Sequence, residues 1–475
     1  MSTDDTLEES PDLEGIEEDG DGPTVEFRGG KWMSAVPIVF FIVWAIVQSA
    51  LFRVGDTTGL AAGMLIGLII GMLFVRGDWA DYANTIFEGM SQPVAVTAVV
   101  AWLWAGMFAA TIQAGGFVEG LVWLADAVGV EGALFVGITF LLAGLLATGI
   151  GTGYGTTVAF VTLFFPAGGL LGANPTLLFG AILSGAVFGD NLAPVSDTTI
   201  ISAVTQDADI GGVVASRFKY ALIAAVPAFV LFVAAGSAMA GIDVAGDARE
   251  IFVGLAAVSK MLVFRIPTDA PVGDVSFLPV VETATEASEV GVGGSIYSGA
   301  AGFFAISILI LLIIGGVWIM VRGGAFDALL EWVLESIATT VRRTELSMVG
   351  SVALINAAIT INTAAEIAIA PYVARLGERF NVNAYRRANI LDANTAALGY
   401  IFPWSGGVLV GFEAIRTQVL PEYEWFTAAM VVNPADVFPY VFHGWLLVAV
   451  FVIAAWTGFG REYTIDRVPD EVTTL

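Results

Sequence analysis

The sequence has no cysteine, which excludes disulfides, thiolate metal sites and thiol catalysis. Charge is scarce: Asp, Glu, Lys and Arg make up 13% of its 475 residues, and only Lys31, Lys219 and Lys260 are lysines. There is no phosphate-binding P-loop, flavin or haem motif and no soluble catalytic domain. An enzyme is therefore not expected, no cofactor is implied, and an ion gradient is left as the energy source. A secretory signal is not expected either, because the start is acidic instead of basic and then apolar. The first apolar span is expected to stay in the mature protein.

What the chain has in abundance is apolar surface. Hydrophobic residues reach 57% and the mean hydropathy is +0.82, far beyond soluble domains. A bilayer core of roughly 30 Å takes about 20 mostly apolar residues per spanning helix, and roughly ten such stretches follow one another here. The runs are continuous, with no two-residue alternation, so helices and not an outer-membrane barrel are predicted. The fold class is all-α: a polytopic protein of about 10–12 helical segments in the lipid of the cell membrane. The formal net charge of −26 is spread over the tail and loops, and the balance of acids over few lysines resembles proteins of very salty cytoplasm. It does not mark a nucleic-acid partner. A homodimer is allowed by the sequence.

Residues 1–30 are acidic with almost no large apolar groups, and are expected to be disordered. Arg28 and Lys31 before the first span, and Arg76 after the second, place this end in the cytoplasm; Arg53 argues the other way. Transmembrane repeats are predicted over 31–241 and 297–465, joined by an acidic linker over 242–296, with a tail over 466–475. Between 132 and 189 no residue is charged. The pattern then breaks over 189–199, where Gly189 is flexible and Pro194 lacks an amide hydrogen. A second break is read over 391–407, again with Asp beside Ala and Asn, then Gly399, Pro403 and Ser405. Thr152, Pro166, Asn174 and Asp190 echo Asn362-Thr363, Pro371, Asn381 and Asp392. Paired interruptions at matching places in two halves point to a transporter binding site.

An ionised side chain at the centre of a membrane helix costs about 2.5–3.5 kcal/mol on insertion scales. Asp190 follows the charge-free run, and Asp392 is the only charged residue between Arg387 and Glu413. Each either carries function or merely caps the half-helix after its break. Asp197, before Thr198-Thr199, reads equally as a ligand or a cap. Around the breaks, Asn191, Ser196, Thr198, Asn394 and Thr395 add amide and hydroxyl oxygens, the ligands a hard cation prefers. Thr152 and Thr156 either face the same cavity or bond backbone beside close-packed glycines. Asn362, Thr363 and Glu366 hold the corresponding place in the other half, where Glu366 is a third buried acid or a partner of Arg375 or Arg379. His443, at the start of the last span, reads as interfacial. A Na⁺ site is predicted at Asp190, Asp197 and Asp392. Proton and Na⁺ compete for one carboxylate, because burial disfavours its charge and a neighbouring cation restores it.

At the first break the sequence resembles the NhaC-type sodium/proton antiporters. The matching residues are Ser184-Gly185-Ala186-Val187-Phe188-Gly189-Asp190 and Pro194-Val195-Ser196-Asp197-Thr198-Thr199. Gly151-Thr152-Gly153-Tyr154-Gly155-Thr156 upstream, and Asp392 with Pro403-Trp404 downstream, extend the resemblance over about 92–411. It implies a member of the ion transporter superfamily, with two inverted repeats, hairpins entering from opposite sides and a site near the midplane. Asn191 departs from the family, whose members often carry Lys there, and Asp392-Ala393-Asn394-Thr395 stands for Asp-Ser-Gly-Thr. The function implied is Na⁺/H⁺ exchange by alternating access. The alternatives are Na⁺- or H⁺-coupled transport of a small carboxylate such as malate or lactate, or of an amino acid, and a passive channel. A fixed buried Arg or Lys near the site favours the carboxylate alternative, and none lies between Arg76 and Arg217 or between Arg387 and Arg416.

Overall fold

The computed structural model describes residues 25–54, 56–114, 117–130, 132–241, 280–283, 290–336, 340–359 and 361–464. Residues 1–24 of the acidic tail, the end of the chain from 465, and most of the linker lie outside these. Val25 and Phe27, assigned to the tail by composition, are buried, and Phe27 pairs with Val75. What remains is an all-α protein with one small hairpin, strands β1 (Val280–Thr283) and β2 (Val290–Gly293), inside the linker. Seven of its helical stretches are long and apolar enough to cross a membrane.

The first half begins with helices α1 (Val36–Ala45), α2 (Thr57–Met72), α3 (Trp79–Met90), α4 (Pro93–Ala114) and α5 (Phe117–Ala127). It continues with α6 (Gly132–Ile150), α7 (Gly153–Leu170), α8 (Pro175–Leu192), α9 (Asp197–Thr205) and α10 (Ile210–Ala238). The second half holds α11 (Ser295–Ala301), α12 (Phe304–Arg322), α13 (Ala325–Ser336) and α14 (Val341–Ile359). After these come α15 (Asn362–Arg379), α16 (Ala384–Leu398), α17 (Gly406–Ala414) and the closing span α18 (Phe442–Thr457).

Local chemistry sets the boundaries. Asn174 accepts the Leu177 amide at the start of α8, with Pro175 at the first helical position, where its missing N–H costs nothing. Asn383 caps α16 in the same way, through the Tyr385 amide. Glycines bring α8 onto α6 at backbone distance: a Cβ on Gly189 would stand 2.2 Å from the Gly144 carbonyl oxygen.

Four helices of the second half start at a constant offset from four of the first. Gly132, Gly153, Pro175 and Asp197 correspond to Val341, Asn362, Ala384 and Gly406, a displacement of 209 residues (341 − 132). The caps follow the same register, Asn174 with Asn383 and Ser196 with Ser405. The packing is reciprocal: α9 lies on α15 and α16, while α17 lies on α7 and α8. This register corrects the echo read from sequence. Asn174 matches Asn383, not Asn381, and Asp190 matches Gly399, so Asp392 lies about two helical turns before the counterpart of Asp190.

The breaks are also narrower than the sequence suggests. Chain between helices is confined to 193–196 and 399–405, which leaves Asp190 and Asn191 in the last turn of α8 and Asp392, Asn394 and Thr395 inside α16. The helix meets part of the hydrogen-bonding need of the polar residues there. Asn394 donates to the Ile390 carbonyl at 2.7 Å, and the Thr395 hydroxyl lies 3.1 Å from that of Leu391.

Candidate functional site

The end of α8 and the start of α9 bring the first pair of acids together. The Ser196 hydroxyl donates to Asp190 Oδ1 at 2.8 Å and lies 3.1 Å from the Thr198 hydroxyl. The other Asp190 oxygen faces the first turn of α7, 3.2 Å from where a Gly153 Cβ would stand; only glycine leaves room there, since that Cβ would also fall 2.1 Å from the Tyr400 hydroxyl. Asp197 is the first residue of α9, and Ser196 holds the capping position without a side-chain cap bond. Asp197 Oδ1 accepts the Thr198 amide at 2.9 Å, and Oδ2 accepts the Thr363 hydroxyl of α15 at 2.6 Å. Asp197 thereby joins the two halves. It is exposed while Asp190 is buried, so the group of acids opens outward at Asp197.

The second pair comes from α15 and α16. Glu366 is fully buried, and no ion pair joins it to Arg375 or Arg379 among the described residues. Its Oε2 lies 3.5 Å from the Thr395 hydroxyl, and its Oε1 has no protein partner. Asp392 Oδ2 accepts the Thr199 hydroxyl at 3.1 Å and the Ser202 hydroxyl at 3.5 Å, and is paired with Arg217; Oδ1 has no protein partner. The four carboxyl groups are within electrostatic reach of one another.

In the sequence Arg217 figures only as the first basic residue after Arg76. In the structure it is wholly buried in α10. Its Nε donates to Asn389 Oδ1 at 2.9 Å, and its Nη1 reaches the Asn191 carbonyl at 2.9 Å, the Thr199 hydroxyl at 3.3 Å and Asp392. A cation from another helix thus reaches the backbone carbonyl of Asn191. The sequence carried a signal. Val213, Arg217, Tyr220, Ala224 and Ala228 recur at three- and four-residue steps, so Arg217 belongs to the stripe that α10 buries.

The remaining sequence candidates make other contacts, and Thr152 and Thr156 follow the backbone-bonding alternative. Thr152 caps α7 through the Gly155 amide at 3.3 Å, and the Thr156 hydroxyl returns to the Thr152 carbonyl at 2.9 Å. Neither touches a carboxylate. His443 is fully buried between Phe140 and Phe188.

Beside the acids, Asn191, Asn362 and Asn394 each keep a buried side-chain carbonyl oxygen without a protein partner. A buried acceptor without a donor is costly, and a bound cation or a hydrogen-bond donor offsets that cost. No group of three or more acidic or histidine side chains is arranged to hold a metal ion among the described residues. A cation bound here would draw on hydroxyl, amide and carbonyl oxygens as well as carboxylate.

Residues 24–237 and 274–445 match the family described as the Na⁺/H⁺ antiporter family. The chain belongs to that family. All four acids of the cluster, and Arg217, fall inside the matched residues of this Na⁺/H⁺ antiporter family member. It is similar to the malate-2H⁺/Na⁺-lactate antiporter of Bacillus subtilis, 28% identical over 39% of this chain and 38% of the relative. It is also similar to the arginine/ornithine antiporter ArcD of Halobacterium salinarum, 27% identical over 44% of this chain and 43% of the relative. The Na⁺/H⁺ antiporter NhaC of Alkalihalophilus pseudofirmus is 24% identical over 40% of each. The similarity spans under half the length of each of these relatives.

Proposed function

We infer that the chain exchanges Na⁺ for H⁺ across the cell membrane by alternating access, with its N-terminus in the cytoplasm. Na⁺ enters at the exposed Asp197 and binds between Asp197 and Asp190, helped by Ser196, Thr198 and Thr363. The observation that carries this reading is a buried acid, Asp190, with a hydroxyl on one oxygen and no cationic side chain paired with it among the described residues. In an apolar protein in lipid, such a charge is stabilised by a proton or by a small cation, and one carboxylate cannot take both. If only the neutralised site changes sides, competition becomes exchange. Glu366, buried with an unpartnered oxygen, is a second carrier of protons in this scheme. The 209-residue register and the reciprocal packing of α9 and α17 support two repeats of inverted topology around the site.

A second reading, coupled transport of a small carboxylate or an amino acid, draws on Arg217, whose Nη2 has no protein partner, and on the substrates named for two relatives. Asp392 already answers the charge of Arg217, which ranks this reading behind Na⁺/H⁺ exchange. Proteoliposomes loaded with a pH-sensitive dye distinguish the two: Na⁺ alone moves protons under the first reading, and only an organic substrate does so under the second.

A further inference from the structure

Asp392 differs from its neighbours in already having a cation. Its partner, Arg217, presents a planar guanidinium with five donors. The guanidinium touches the carbonyl of Asn191 at the end of α8, the hydroxyl of Thr199 in α9, and Asn389 and Asp392 of α16. It thus ties one interrupted helix of the first half to an acid-bearing helix of the second. Three of the four acids have no such partner among the described residues. Asp190, Asp197 and Glu366 are held by hydroxyl and amide groups alone, whereas Asp392 has a full countercharge.

We propose that Arg217 is a tethered counter-cation and positioning residue: it occupies Asp392 permanently, so Asp392 balances Arg217 instead of carrying Na⁺ or H⁺. This rests on the Na⁺/H⁺ reading of the same site and deepens it, by assigning ion traffic to Asp190, Asp197 and Glu366. Loss of Asp392 then harms exchange for an indirect reason. It leaves a bare buried guanidinium beside the break, which repels the incoming cation and strains the packing of α10 on α16. Removing both charges takes that insult away.

The test is a charge cycle of Asp392→Asn, Arg217→Gln and the double variant, read in proteoliposomes as maximal exchange rate and apparent KM for Na⁺. Each single variant is expected to lose about tenfold or more in rate, as truncating one member of a buried pair does. The double variant is expected to regain at least about tenfold over Asp392→Asn, with an apparent KM for Na⁺ within about threefold of the parent. A double variant no better than the worse single, or one whose KM stays raised, makes Asp392 an ion ligand and overturns the proposal. Because breaking a buried pair can also block folding, the amount of inserted protein is read in parallel. An Asp392→Asn chain that fails to accumulate beside a double variant that does supports the pair; failure of both contradicts it. If the parent itself moves no protons with Na⁺, it is the functional reading that falls.

Discussion

Arg217 and Asp392 stand 175 residues apart in sequence and meet as an ion pair with no exposed surface on either side chain. None of the other three acids of the cluster forms an ion pair among the described residues. Asp190 leans on a serine, Asp197 on a threonine from the opposite half, and Glu366 has one oxygen with no partner.

Asp190→Asn is expected to abolish Na⁺-dependent proton movement in everted vesicles while the protein still inserts. The amide keeps the shape and the Ser196 contact but carries neither a proton nor a charge. Exchange at the parental rate by this variant sinks the carboxylate account.

Thr363→Val removes the hydroxyl that reaches across to Asp197 at 2.6 Å. A hydrogen bond to a charged group contributes about 1.5–3 kcal/mol, so the apparent KM for Na⁺ should rise about tenfold. Maximal rate should change less, because Asp190 is untouched. An unaltered KM removes Asp197 from the cation path.

Gly189→Ala inserts a methyl 2.2 Å from the Gly144 carbonyl oxygen and 2.5 Å from the Ala147 Cβ, both in α6. Neither neighbour is a flexible side-chain end, so α8 must shift and carry Asp190 with it. Overpacking of this kind costs about 1–3 kcal/mol. A lowered melting temperature in detergent and a loss of exchange are expected together; a variant with parental stability contradicts the close approach of α6 and α8.

Much of this arrangement is legible in the sequence, and the exceptions are instructive. Asp190, Ser196 and Asp197 stand out because a charge-free run ends in Gly, Pro and hydroxyl residues. Asp392 is visible for the same reason, yet its place inside α16 is not. Nothing from Ala393 to Leu398 breaks a helix, and the Asn394 amide hydrogens and the Thr395 hydroxyl bond to carbonyls one turn back. Thr363 contacts Asp197 only because α9 crosses to the other half, a long-range relation that local pattern does not encode. Arg217 escapes a search for charges inside apolar runs, although its spacing with Val213 and Tyr220 sets it on the buried stripe.

A pH signature is expected at the exposed start of α10. Asp209 caps that helix, and the Tyr385 hydroxyl and then the Gly212 amide hold its carboxyl below the usual carboxylate range. A lowered value means that this contribution to stability is fully present above the ordinary carboxylate value of about 4 and is lost as pH falls through the lower folded value. The difference in melting temperature between the parent and Asp209→Ala should be constant from about pH 8 to about pH 5 and shrink below about pH 4. A difference that grows on acidification contradicts the assignment.

The most direct measurement is the pH inside proteoliposomes containing the purified chain, with Na⁺, K⁺, malate, lactate and amino acids added in turn to the outside. A saturable rise in internal pH with Na⁺ alone, lost in Asp190→Asn, is the predicted result. No response to Na⁺ alone, together with proton movement driven by one of the organic substrates, contradicts it.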